Sequence, residues 1–168
     1  QMCIRDRSYK SVSDILNVSI DDVPARLKSQ LETLETYQDK FKNLRGQEIA
    51  TLVNDIESNA EIIKKKHVYI DEVNLDSANE LRDLAIKIVN DTRVDITILF
   101  ANINGKNSII GATKKDIKLN ISSVITEVSK LYGGGASKDE NLSIGGGPDK
   151  YNSSEALIFA RELVIKEI

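Results

Sequence analysis

Between Leu27 and Phe41 the zipper-like positions step by four, three, four and three, through Leu31, Leu34 and Gln38, whereas from His67 to Val73 apolar and polar residues alternate as they would along a half-buried strand. A chain whose hydrophobic period changes in this way must change secondary structure in between, and Lys64-Lys65-Lys66 marks the change. The first spacing is that of a zipper seam, which resumes at Leu52, Val53 and Ile56 after an interruption at Arg45-Gly46-Gln47. It predicts two amphipathic helices, or one long helix with a break, from about Pro24 to Ile63. Upstream, Ser19-Ile20-Asp21-Asp22 offers a capping box, and Pro24 suits a first helical turn, where its missing N–H costs nothing. A stripe so narrow packs against a partner subunit or against the rest of its own chain. Leu27, Leu31, Leu34 and Phe41 are the residues expected to form a homodimer.

Past the lysines, the elements follow one another closely. His67 to Val73 reads as a strand; Ser77 and Glu80 form a capping box for a helix whose apolar face is Ala78, Leu81, Leu84, Ala85, Ile88 and Val89. Asp95 to Ile103 and Asn107 to Ala112 read as strands joined by the hairpin turn Asn104-Gly105. Asn120 caps a helix presenting Val124, Ile125, Val128, Leu131 and Tyr132, and Asn152 with Glu155 caps a last one with Ala156, Leu157, Ala160, Leu163 and Val164 inward. The expected architecture is a helical arm followed by a small α/β domain of order β-α-β-β-α-glycine-rich loop-α. In domain terms, 9–63 is the arm and 64–168 the α/β domain. Residues 1–8 lack periodicity and are expected to be a non-native tail derived from sequence assembly.

The composition excludes several classes. The single cysteine, Cys3, rules out an internal disulfide, and one histidine, His67, with one cysteine cannot build a zinc site. No apolar run approaches the length of a membrane span, and the expected setting is the cytoplasm. No catalytic constellation emerges from these residues. A net charge of −3 does not advertise a nucleic-acid partner, but it is unevenly spread: residues 12–63 carry ten acids against five bases, and residues 105–151 seven lysines against five acids.

Six of the nine glycines stand in two triplets, Gly133 to Gly135 and Gly145 to Gly147. One glycine suffices to end a helix. Two triplets let backbone segments approach each other or a ligand closely, with N–H groups free to point at an anion. Neither phosphate-binding fingerprint applies: no Gly-Lys-Ser/Thr follows the glycines, and a helix rather than a strand leads into them. The fifteen residues Gly133-Gly134-Gly135-Ala136-Ser137-Lys138-Asp139-Glu140-Asn141-Leu142-Ser143-Ile144-Gly145-Gly146-Gly147 resemble the motif G-G-x-G-G-G-x-P-x-x-A-Q-G-G-G of the C-terminal domain of alanyl-tRNA synthetases, a domain also associated with DHH phosphoesterases. Gly133 and Gly134 match the leading pair and Gly145 to Gly147 the closing triplet, while Ala136-Ser137-Lys138 replaces the middle triplet and Ser143-Ile144 the usual Ala-Gln. The resemblance covers about Lys66 to Ile168, and the preceding arm is similar to the family's dimerising linker.

The resemblance implies a module that grips the outer corner of tRNA on behalf of an alanine–tRNA ligase, through shape and phosphate contacts. The residues it implies are Gly133, Gly134, Gly135, Ser137, Lys138, Gly145, Gly146, Gly147 and Lys150, with Lys114, Lys115 and Lys118 widening the basic face and Tyr151 placed to stack or to pack. The partner implied is alanine-specific tRNA. ATP and zinc would belong to other domains of the parent enzyme, and this region holds no cofactor. Two alternatives stand beside this one: the substrate-binding domain of a DHH-family phosphoesterase, and an oligomerisation module whose glycine segment is a flexible loop.

Overall fold

The computed structural model describes residues 2–148 and 153–168. The chain divides between Glu48 and Ile49 into two compact units.

The first unit is helical. α1 spans Met2–Leu16 and so includes the segment set aside as a tail. Asn17, at φ 51°, ends that helix, and a short 3-10 turn, Ile20–Asp22, leads into α2, Val23–Asn59. Ser19 precedes that turn as expected, but its hydroxyl donates to the Asp22 carboxylate (2.6 Å) instead of accepting from the backbone. Pro24 stands in the first turn of α2, where it removes no hydrogen bond. The break expected at Arg45-Gly46-Gln47 is absent, and α2 runs through 37 residues. A glycine inside a helix costs about 1 kcal/mol relative to alanine, too little to stop a helix of that length. The Arg45–Glu48 ion pair (3.0 Å) spans the position.

The second unit begins inside α2. Val53 and Ile56 are buried with α3, so the last turns of the helix serve the α/β domain, and the boundary expected at 63/64 gives way to one at 48/49. The expected elements all form: β2 (Lys66–Glu72), α3 (Ala78–Asp91), β3 (Ile96–Ile103), β4 (Lys106–Thr113), α4 (Ile121–Lys130) and α5 (Ser153–Glu167). Three further strands join them, β1 (Glu61–Ile63), β5 (Gly135–Ala136) and β6 (Leu142–Gly147). β1 turns into β2 through Lys64 and Lys65, both at positive φ, as a two-residue hairpin with matching twist requires. The sheet order is β1-β2-β3-β4-β6-β5, antiparallel except for the β2–β3 pair, which α3 connects.

Alternation along β3 divides the core. Ile96, Ile98 and Phe100 pack with Ile121, Val124, Ile125 and Val128 of α4 and Ala156, Ala160 and Val164 of α5. Leu99 and Ala101 face the other way, toward Leu81, Leu84, Ala85 and Ile88 of α3 and the end of α2. The domain is thus a sheet between two helical layers.

Candidate nucleic-acid interface

The glycine segment, expected as a loop, is a pair of strands. β6 pairs along its whole length with β4, from Leu142 opposite Ala112 to Gly147 opposite Asn107, and β5 lies on its outer edge. The reason lies in α4 above it. Ser129, wholly buried, accepts the Gly146 N–H on its hydroxyl (3.0 Å) and the Gly134 N–H on its carbonyl (3.0 Å). Gly133 N–H is taken by Lys130 O (3.1 Å). These three amides, expected to be free for an anion, are therefore already used inside the domain.

The lack of side chains has the same internal cause. A Cβ on Gly134 would stand 1.7 Å from the Gly146 carbonyl oxygen, and one on Gly147 would stand 1.9 Å from that of Tyr132. Gly146, at φ 140°, occupies backbone space that other residues rarely enter. Gly135 alone of the six has both an ordinary φ and nothing within 4 Å of a built Cβ, so packing inside the domain does not require a glycine there.

The segment between β5 and β6 is held firmly. Ser137 O accepts from the Ser122 and Ser143 hydroxyls (2.7 and 2.8 Å), and its own hydroxyl accepts the Ile144 N–H (3.0 Å). Asp139 accepts the N–H groups of Asn141 and Leu142 (2.9 and 3.1 Å), which hold its carboxyl below the ordinary value. Two backbone bonds, Thr113 N–H to Asn141 O (2.9 Å) and Ile121 N–H to Glu140 O (3.2 Å), tie it to the linker between β4 and α4.

That tie decides which site residues share a place. Lys138, exposed, lies at the sheet end where Lys115 and Lys118, also exposed, leave β4. The paired triplets lie toward the opposite end of β6, whose six residues span roughly 20 Å at about 3.3 Å each. The predicted residues thus form a glycine platform and a separate lysine group. Lys150 and Tyr151, like the cap at Asn152, lie outside the described residues. Lys114 is not free: it bridges to Asp95 (3.5 Å) and donates to Thr92 O (3.1 Å). Partial burial pushes the Asp95 carboxyl up, but the His67 N–H and the Lys114 ammonium outweigh it and hold it below the usual range. His67 accordingly serves this structural cluster, its ring 3.6 Å from Asp95. Four lysines at this end (114, 115, 118 and 138), with Arg82 acting on Asp139, meet four acids, Asp95, Asp116, Asp139 and Glu140, so its charge is near balance.

Sequence reasoning missed Ser122 and Ser129, the two serines that fix the platform. Their signal was available: they stand seven residues apart on the inward face of α4, and a buried hydroxyl implies a partner.

No protein-family model matches the chain. It is 26% identical over 157 residues to the alanine–tRNA ligase of Lactobacillus gasseri, covering 91% of this chain and 18% of that protein. The alanine–tRNA ligase of Natranaerobius thermophilus is 23% identical over 164 residues, 95% of this chain and again 18% of the relative. Among solved structures, the C-Ala domain of Aquifex aeolicus alanyl-tRNA synthetase superimposes with a TM-score of 0.57 at 25% identity, over 64% of this chain and 98% of that domain. The likeness is to alanyl-tRNA synthetase. The sheet domain has the fold of its C-Ala domain, and sequence similarity extends over most of the chain. The chain spans about 18% of the length of the curated alanine–tRNA ligases it matches. Among the described residues, no helix is long and apolar enough to cross a membrane.

Proposed function

We propose that this chain is the C-terminal tRNA-binding and dimerisation region of an alanine–tRNA ligase, and that it grips the outer corner of alanine-specific tRNA so that aminoacylation and editing act on one bound molecule. The observation that carries the proposal is the match to the C-Ala domain over nearly all of that domain's length, together with similarity to alanine–tRNA ligases across the helical arm. In this reading the glycine platform is a rigid surface with Gly135 as its point of close approach, and Lys115, Lys118 and Lys138 meet phosphates as point charges. The reaction chemistry, with its ATP and zinc, belongs to other parts of the longer enzyme, in the cytoplasm.

The exposed seam of α2 supports the dimer. Leu27, Leu31, Leu34, Tyr37, Phe41 and Leu44 are each more than 40% exposed, a row of large apolar side chains that the chain does not bury. A second copy, packing seam to seam, removes them from water.

Fluorescence titration of the 168-residue chain with tRNA, and with an RNA duplex that lacks the corner, tests the reading. The expected result is saturable binding to tRNA at least tenfold tighter than to the duplex, a difference of about 1.4 kcal/mol. Equal binding to both defeats corner recognition.

A further inference from the structure

The far edge of the sheet is only partly closed. β1 covers β2 at Lys66, His67 and Val68 and no further, while β2 continues to Glu72 along β3 on its other side. Val73 donates its N–H to Phe100 O (2.8 Å) across to β3. Neighbouring strand residues turn their main-chain groups to opposite edges, so Tyr69 and Asp71 face β3 and Ile70 presents its N–H and C=O outward. Among the described residues, no strand lies against this edge past Val68. Beside it opens a cavity of about 340 Å³, lined by the apolar Ile63, Ile70, Leu157 and Ile158 and, in about equal part, by polar groups that include Glu61, Asp71 and Arg161. Ile158 is 60% exposed at its mouth.

An open strand edge beside a partly apolar cavity takes up extended main chain. The occupant's side chain opposite Ile70 points to the face Ile70 points to, into the cavity; its neighbour points to the other face, alongside Asp71. The charge there is one-sided. Glu61 is paired with Arg161, whereas Asp71 and Glu72 are exposed, and no lysine or arginine among the described residues pairs with either. Asp71 holds only the Tyr69 hydroxyl (3.4 Å) and the Glu72 N–H (2.8 Å). Symmetric antiparallel pairing with a second copy is opposed in both near registers: about Ile70 it would set Glu72 of one copy where β1 of the other already lies beside Val68, and about Asp71 it would set two unpaired carboxylates opposite each other.

We propose that the Tyr69–Glu72 edge binds an extended segment of a different polypeptide, in which an apolar residue fills the cavity and an adjacent lysine or arginine meets Asp71. This stands independently of tRNA binding.

The test titrates the isotope-labelled 168-residue chain with the capped hexapeptide Thr-Lys-Val-Lys-Val-Thr, following the Ile70 and Asp71 amides by NMR. Saturable shifts confined to β2 and α5 are expected. Ile158→Asp, at an exposed position that leaves the fold intact, weakens binding about tenfold, the equivalent of roughly 1.4 kcal/mol. Asp71→Lys reverses the preference toward a peptide with glutamates in place of lysines. The proposal is overturned by absence of saturation at millimolar peptide, by equal binding of the lysine and glutamate peptides to the unaltered chain, or by undiminished binding when the valine amides are N-methylated, which removes strand pairing.

Discussion

Gly134 and Gly135 adjoin in sequence and separate two roles that glycine triplets confound. At Gly134 a methyl group meets the Gly146 carbonyl at 1.7 Å, so Gly134→Ala must push β5 away from β6. Overpacking of this kind costs about 2–3 kcal/mol, read as a lower midpoint in urea. Gly135→Ala meets open space, and its stability should stay within about 0.5 kcal/mol of the unaltered chain, while tRNA affinity falls if that backbone is the point of approach. Asp95 makes a second prediction, on pH. Its folded-state carboxyl titrates below the unfolded value, so its contribution is complete above the unfolded range, near pH 4, and is lost as pH falls through the lower folded value. Asp95→Asn should therefore be less stable than the original at pH 6, with the gap closing in urea titrations taken below pH 4. In sequence, Asp95 was visible only as the start of a strand, because its partners, His67 and Lys114, come from two other strands' ends.

Among the elements, α2 is the most open to manipulation. Gly46 has nothing within 4 Å of a built Cβ, so Gly46→Ala gains helix propensity without a clash and should stabilise the arm by about 1 kcal/mol, seen as increased helicity by circular dichroism on heating. Leu31→Glu with Leu34→Glu places charges in the exposed seam; the dimer proposed above should fall to half its mass in sedimentation, and an unchanged mass would count against a dimer formed through this seam. The helices and long strands were legible because each carries its own period and cap: Ser77 does accept the Glu80 N–H (3.2 Å), and Asn120 the Ser123 N–H (3.3 Å). β1, β5 and β6 were not, for a physical reason. β1 has only three residues and β5 two, too few to show a period, and the second half of β6 is glycine, which carries no pattern. Their strand state comes from β2, β4 and the α4 serines, which are remote in sequence. The continuity of α2 through Arg45-Gly46-Gln47 was hidden by the same limit, since an interrupted stripe resembles an interrupted helix.

At the scale of the whole molecule, the distribution of charge bears on how tRNA would be held. The chain is acidic, with a net charge of −3, and the lysine group beside β6 is matched by Asp95, Asp116, Asp139 and Glu140. A protein that wraps nucleic acid electrostatically binds steeply less well as salt rises, by a little under one logarithmic unit per phosphate neutralised. Here Lys115, Lys118 and Lys138, with Arg82 close enough to act on Asp139, are exposed and outside any ion pair among the described residues at that end. A plot of log affinity for tRNA against log salt should therefore have a slope no steeper than about −4, since four contacts of roughly 0.9 each are the most these cations supply. Shape must carry the rest, and shape recognition survives salt. Lys138→Ala should flatten that slope by about one unit and lower affinity equally for all tRNAs, whereas Gly135→Ala should leave the slope unchanged while reducing affinity. A slope of −6 or steeper would place the contact surface elsewhere, on charges that this sheet end does not possess.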